Sequence, residues 1–157
     1  MEVRVLFICL GNICRSPMAE AVFRDLVKKE NLQDSITCDS AGTGGWHIGN
    51  PPHRGTREIL KKNLISDAGI LARQLHTADL ESFDYLIAMD NSNRENIRLL
   101  NEQLEENKVH LLMDFAEIRV YDEVPDPYYT GNFDEVFQMV TVGCQGLLQD
   151  IRSKYHL

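Results

Sequence analysis

Near the start of the chain, Val3–Cys9 forms an almost continuous apolar run, and a helix signal follows within a few positions. A half-exposed strand alternates apolar and polar residues, so a run without clean alternation predicts a strand covered on both faces. Ser16-Pro17 then offers an N-cap and a first helical residue. Beyond it Met18, Val22 and Leu26 recur at helical spacing, with Ala19, Phe23 and Val27 beside them. The segment ends in Lys28 and Lys29, the charge that a helix C-terminus prefers.

The same alternation continues. Ile36–Ala41 predicts a second strand, followed by the Gly-rich loop AGTGGWHIGNPP and a short helix near Arg54–Asn63. Phe83–Met89 predicts a strand, Asn91–Glu105 a helix with Ile97, Leu100 and Leu104 on one face, and Val109–Met113 a last strand. A loop through VYDEVPDPYYTGN leads to a long helix after Asn132, with Phe133, Phe137, Val140, Cys144, Leu147 and Ile151 at helical spacing. Strands separated by helices imply an α/β fold of three layers, a parallel sheet with helices on both faces. A length of 157 residues suits one domain over 1–157. Ligands in such sheets bind beyond the carboxyl ends of the strands. The loop at 9–15 lies there, and the loops after 41, after 89 and before the last helix can converge on the same edge.

Charge narrows the partners. Sixteen Lys and Arg stand against 24 Asp and Glu, a net charge of −8. That balance excludes a general binder of nucleic acid or anionic membrane, which needs basic surface. Much of the acidity falls between positions 102 and 135. No apolar stretch approaches the ~20 residues of a membrane helix. The N-terminal apolar run is too short for a secretory signal. The cysteines at 9, 14, 38 and 144 are therefore expected in a reducing compartment, the cytoplasm.

The loop between the first strand and helix reads Cys9-Leu10-Gly11-Asn12-Ile13-Cys14-Arg15-Ser16, a C-x5-R-S pattern. A helix N-terminus offers unpaired N–H groups and partial positive charge. Gly11 and Asn12 tolerate unusual dihedrals and let a tight loop turn more N–H groups inward. Arg15 adds a planar fork that matches a tetrahedral oxyanion. Together they form a cradle for a phosphate-like dianion. Cys9 stands in that positive field, which favours the thiolate, a nucleophile for phosphoryl transfer. Ser16 can donate a hydrogen bond to it. The alternative for Cys9 is a small core residue at the end of a buried strand. No C-x2-C pair suggests zinc, and no G-x4-G-K-[ST] suggests a nucleotide P-loop.

Phosphoryl transfer to sulfur also needs an acid for the leaving oxygen. Pro125-Asp126-Pro127-Tyr128-Tyr129 supplies the best candidate, because the flanking prolines limit where Asp126 can point. Asp122 and Glu123 lie nearby in sequence as like charges that favour a protonated carboxyl.

These two motifs together resemble the low-molecular-weight protein tyrosine phosphatases. The resemblance spans nearly the whole chain: VLFICLGNICRSPMAEAVFRDL, DSAG, GW, IGNPP, ARQ, FDYLIAMD and DPYYTGNF. It implies a four-stranded parallel sheet and hydrolysis of phosphotyrosine through a cysteinyl phosphate, with no metal or other cofactor. It implies inhibition by phosphate, vanadate and similar oxyanions. On the matching positions it makes Cys9 the nucleophile, Arg15 the phosphate clamp, Asp126 the general acid and base, and Ser16 the hydroxyl that assists the thiolate. Asn12 holds the loop in shape with Ser40 as a support. Trp46, Tyr128 and Tyr129 wall the substrate cleft. Cys14 matches the neighbour that forms a reversible disulfide with the nucleophile, while Cys38 and Cys144 read as structural.

Two relatives in fold stay in view. Protein arginine phosphatases usually carry Thr where Ile13 stands and lack the paired tyrosines. Thioredoxin-coupled arsenate reductases need two further cysteines after the second helix, and residues 39–143 contain none. A catalytically quiet phosphate-binding module is the remaining alternative. One departure concerns the loop itself: vertebrate members place a histidine two residues before the Ala of ARQ, where it supports the loop asparagine. This chain has Ile70 there, so its loop is braced otherwise or is looser.

Overall fold

Seven residues, Val3–Cys9, form strand β1, with all but one of them buried. The remaining elements of the computed structural model, which describes residues 2–119 and 121–157, follow in chain order. They are α1 (Arg15–Lys29), β2 (Ile36–Gly42), α2 (Arg54–Lys62), α3 (Asp79–Ser82), β3 (Tyr85–Ala88), α4 (Asn91–Leu100), β4 (Val109–Leu111), α5 (Pro127–Thr130) and α6 (Phe133–Tyr155). The strands pair in the order β2-β1-β3-β4, and every pair is parallel.

The two-sided burial of β1 explains its composition. Val5 and Phe7 enter one core with Met18 and Phe23 of α1 and with Val140 and Leu147 of α6. Leu6 and Ile8 point the other way, into a core with Leu80, Ile97 and Leu111. Each such side chain contributes roughly 1.5–3 kcal/mol on leaving water. Phe7 and Phe23 meet edge to face, with ring centroids 5.5 Å apart.

Register then positions the site. Cys9 lies beside Gly42 and Ile8 beside Ala88, so β1, β2 and β3 end at one level. The segments beyond them interlock. Thr43 N donates to Cys9 O, Gly44 N to Leu10 O, and Val124 N to Met89 O, each at 2.9 Å. Gly42 permits this closeness, since a Cβ there would meet Leu10 O at 2.9 Å.

Several boundaries differ from expectation. The helix expected to Glu105 ends at Leu100, because Asn101 turns extended and its side chain accepts from Gln103 N. The strand expected to Met113 ends at Leu111, where residues 112–115 form a 3-10 turn. The expected loop through Tyr128 contains the short helix α5, capped by Asp126. Ser16 is not the N-cap of α1: the helix starts at Arg15 behind Cys14, and the Ser16 hydroxyl is used elsewhere. Met1 and Val120, which fall within the sequence expectations, lie outside the described residues. Among the described residues, no helix is long and apolar enough to cross a membrane.

Candidate active site

The loop from β1 into α1 folds around its own first side chain. Asn12 adopts a left-handed backbone, φ 56°, which Asn tolerates better than most residues. That turn brings Asn12 N–H to Cys9 Sγ at 3.3 Å, while Ser16 Oγ lies 2.9 Å from the same sulfur. Cys9 is 3 % exposed, so the sulfur sits at the bottom of a recess.

The Asn12 side chain braces the loop. Arg73 N donates to Asn12 Oδ1 at 3.0 Å, which fixes which end of the amide is which. Both protons of Asn12 Nδ2 are then spent on Ser16 Oγ at 2.7 Å and Ser40 Oγ at 2.9 Å. Ile70, which stands in place of a supporting histidine, is buried in the core instead. The brace comes from the Arg73 backbone and Ser40.

Arg15 is 2 % exposed, and its Nη1 is committed to Asp90 Oδ2 at 2.5 Å and to Val124 O at 3.0 Å. Nη2 lies 3.4 Å from Asp126 Oδ2, and Nε has no hydrogen-bond partner among the described residues. Burial alone would disfavour the guanidinium charge, yet Cys9, Asp90 and Asp126 raise its pKa above the ordinary value. The fork therefore has one edge anchored in protein and one edge available.

Asp126 reaches the site as the cap of α5, with Oδ1 accepting from Tyr128 N at 3.1 Å. Its acidic sequence neighbours do not crowd it as expected. Glu123 accepts from Asn91 N, and the exposed Asp122 pairs with Arg119. The Arg15 cation, by contrast, does face Asp126. Cys14 is buried, and burial first, then the charges of Cys9 and Asp126, push its thiol up to about 12 against the pull of Arg15. Cys38 and Cys144 bond backbone carbonyls of α1 and stay apart from the loop.

The recess opens as a cleft of about 210 Å³ lined by Cys9, Leu10, Gly11, Ile13, Cys14, Trp46 and Asp126, together with His47, Tyr128 and Tyr129. Trp46 is 71 % exposed at the mouth. Tyr128 packs against His47 and His53, with centroids 6.5 and 6.0 Å away, and meets Tyr129 at 5.3 Å. Of the other residues expected from sequence, Asn12, Arg15 and Ser16 are buried beneath this lining, and Ser40 acts from behind Asn12. Sequence reading missed Asp90, Glu20 and His47. Asp90 carried a signal, an Asp-x-x-Asn capping pattern at the carboxyl end of a strand. Glu20 carried another, a lone carboxylate four residues after Ser16 among apolar helix neighbours.

Comparison with known proteins places the chain in a family. Residues 4–157 match the family described as low molecular weight phosphotyrosine protein phosphatase. The chain is 53 % identical over 155 residues to the low molecular weight protein-tyrosine-phosphatase YfkJ of Bacillus subtilis, covering 99 % of each. The crystal structure of YfkJ superposes with a TM-score of 0.96, covering 98 % of this chain and 97 % of that one. PtpA of Staphylococcus aureus, a phosphatase of the same description, is 46 % identical over 149 residues, covering 95 % of this chain and 94 % of PtpA. The Drosophila arginine phosphatase DARP is more distant, at 34 % identity and a TM-score of 0.84, covering 97 % of this chain and 98 % of that one. With the match running from the first strand to the last residue, the chain belongs to the low molecular weight phosphotyrosine protein phosphatase family.

Proposed function

We propose that this protein-tyrosine-phosphatase works through a phosphocysteine on Cys9, with residues 1–157 acting as one phosphatase domain in the cytoplasm. The observation that carries the reading is the half-committed Arg15: Nη1 is anchored by Asp90 and Val124 O, while the buried Nε has no partner among the described residues. A buried donor without an acceptor is expensive, and a phosphate oxygen satisfies it.

A phosphotyrosine enters with its ring between Trp46, Tyr128 and Tyr129 and its phosphate on Arg15 and the N–H groups at the start of α1. The depth of Cys9 favours an aryl phosphate over the shorter phosphoserine. The Cys9 thiolate, accepting from Asn12 N–H and Ser16 Oγ–H, attacks phosphorus as the P–O bond to the tyrosine breaks. Asp126 gives its proton to the departing phenolate oxygen. Asp126 then takes a proton from water, which attacks phosphocysteine and releases phosphate and the thiolate. Cys14 lines the same cleft and is the thiol that traps an oxidised Cys9 as a disulfide. Phosphate and vanadate compete for the Arg15 cradle.

Phosphotyrosine is favoured over phosphoarginine by the Tyr128–Tyr129 wall and by apolar Ile13 in the loop. The test is turnover of matched phosphotyrosine and phosphoarginine peptides, with Cys9→Ser as the inactive reference. Faster phosphotyrosine hydrolysis, lost in Cys9→Ser, is expected. Faster phosphoarginine hydrolysis overturns the substrate reading, and wild-type turnover by Cys9→Ser overturns the mechanism.

A further inference from the structure

Behind the phosphate loop lies a buried carboxylate that the reaction above does not use. Glu20 is 8 % exposed on α1, and Ser40 Oγ donates to its Oε1 at 2.6 Å. Ser40 also accepts from Asn12 Nδ2, which donates in turn to Ser16 Oγ, the neighbour of Cys9 Sγ. The run Glu20–Ser40–Asn12–Ser16–Cys9 is therefore continuous.

Proton counting gives the run a direction. Arg73 N–H holds Asn12 Oδ1, so Nδ2 donates to both serines. Each serine oxygen thus already accepts, and each has one hydroxyl proton to place. The proton of Ser40 goes to Glu20, and that of Ser16 goes to the Cys9 sulfur. An acceptor at position 20 keeps Ser40 from turning its proton toward Asn12 and dislodging the amide. An ionised carboxylate does this far better than a neutral one, because charge-assisted bonds are the strong ones.

We propose that Glu20 is a positioning residue whose ionised form aligns the Ser40–Asn12–Ser16 chain so that Ser16 donates to the Cys9 thiolate. The proposal rests on Cys9 being the nucleophile. Facing Glu20 are Arg24 on its own helix, Asp39 and the Cys38 thiol on β2, and Arg73 from the segment after α2. Burial dominates, with Asp39 adding to it and the Ser40 bond, Arg24 and Arg73 opposing, and the carboxyl is pushed up to about 7. The alignment is thus engaged above neutrality and released below it.

Glu20→Gln keeps the shape and an acceptor oxygen but is neutral at every pH. The rate kcat with p-nitrophenyl phosphate is compared for wild type and E20Q across neutral pH, alone and in a Ser40→Ala background. The wild-type to E20Q ratio should rise through about pH 7 to about tenfold, one charge-assisted bond's worth. In Ser40→Ala the E20Q effect should vanish, because the chain is cut. A ratio independent of pH, or an undiminished E20Q effect in Ser40→Ala, overturns the proposal. Cys9→Ser run alongside separates this from failure of the nucleophile: if it is inactive, only the role of Glu20 is at issue.

Discussion

Arg15 and Asp90, brought together from the ends of two adjacent strands, are joined by Nη1 and Oδ2 at 2.5 Å, with the guanidinium nearly wholly buried. Asp90 also caps α4, with Oδ1 accepting from Asn93 N at 2.8 Å. One carboxylate thus orients the Arg15 guanidinium and caps the helix that follows β3.

Asp90→Ala should therefore damage stability and rate together. Removing one partner of a buried ion pair leaves the other uncompensated, and the loss is about 3 kcal/mol or more. Asp90→Asn should retain most of the cap and lose less stability, yet still lower kcat by loosening Arg15. Urea unfolding and kcat for both variants check this: equal stability for the two would remove the cap from the account, and wild-type stability in both would remove the ion pair.

Asp126→Asn should slow hydrolysis of phenyl phosphate by about a hundredfold or more, the usual worth of a positioned general acid. Hydrolysis of p-nitrophenyl phosphate should suffer less, because its leaving group needs less help. The limb of the pH profile that reports a protonated acid should flatten. A loss independent of the leaving group would assign Asp126 to binding through Arg15 rather than to proton transfer.

On the proposed pairing, peroxide should oxidise Cys9 to a sulfenic acid, and condensation with the Cys14 thiol should form a disulfide and release water. Burial holds Cys14 as a neutral thiol, so the wild-type nucleophile stays distinct from its trap. Dithiothreitol should restore activity to the peroxide-treated wild type and much less to Cys14→Ser. Equal recovery would reject the pairing.

Glu20 also makes folding stability depend on pH. Its folded-state pKa, about 7, lies above the ordinary 4.5, so the folded state holds this proton more tightly than the unfolded chain. The stabilisation is present below about pH 4.5 and is lost as pH rises through about 7. Relative to E20Q, wild type should lose about 3 kcal/mol across that window. Urea midpoints at about pH 5 and about pH 8 for both proteins decide it, and a constant difference would show that Glu20 does not titrate there.

The uniform apolarity of Val3–Cys9 was enough to predict a strand buried on both faces, and the C-x5-R-S pattern before a helix was enough to predict an oxyanion cradle. These are short-range consequences of periodicity and of helix termini, and a linear reading captures them. Ser16 shows the limit. Its Ser-Pro context predicts a cap, but its hydroxyl faces Cys9, because the helix begins at Arg15, two residues before Pro17, and the thiol is the nearer partner. Asp122 and Glu123 show it again: proximity in sequence suggested that they surround Asp126, and their side chains turn to Asn91 and Arg119.

By itself the sequence determined the layered α/β architecture and singled out Cys9, Arg15 and Asp126 as the candidate nucleophile, clamp and acid, since each is written in a local pattern of residue types. The pairing of Arg15 with Asp90 and the run from Glu20 to Cys9 were decided only by the tertiary structure. Those contacts join residues from α1, β2 and the end of β3, and only parallel pairing in register brings these segments to one sheet edge.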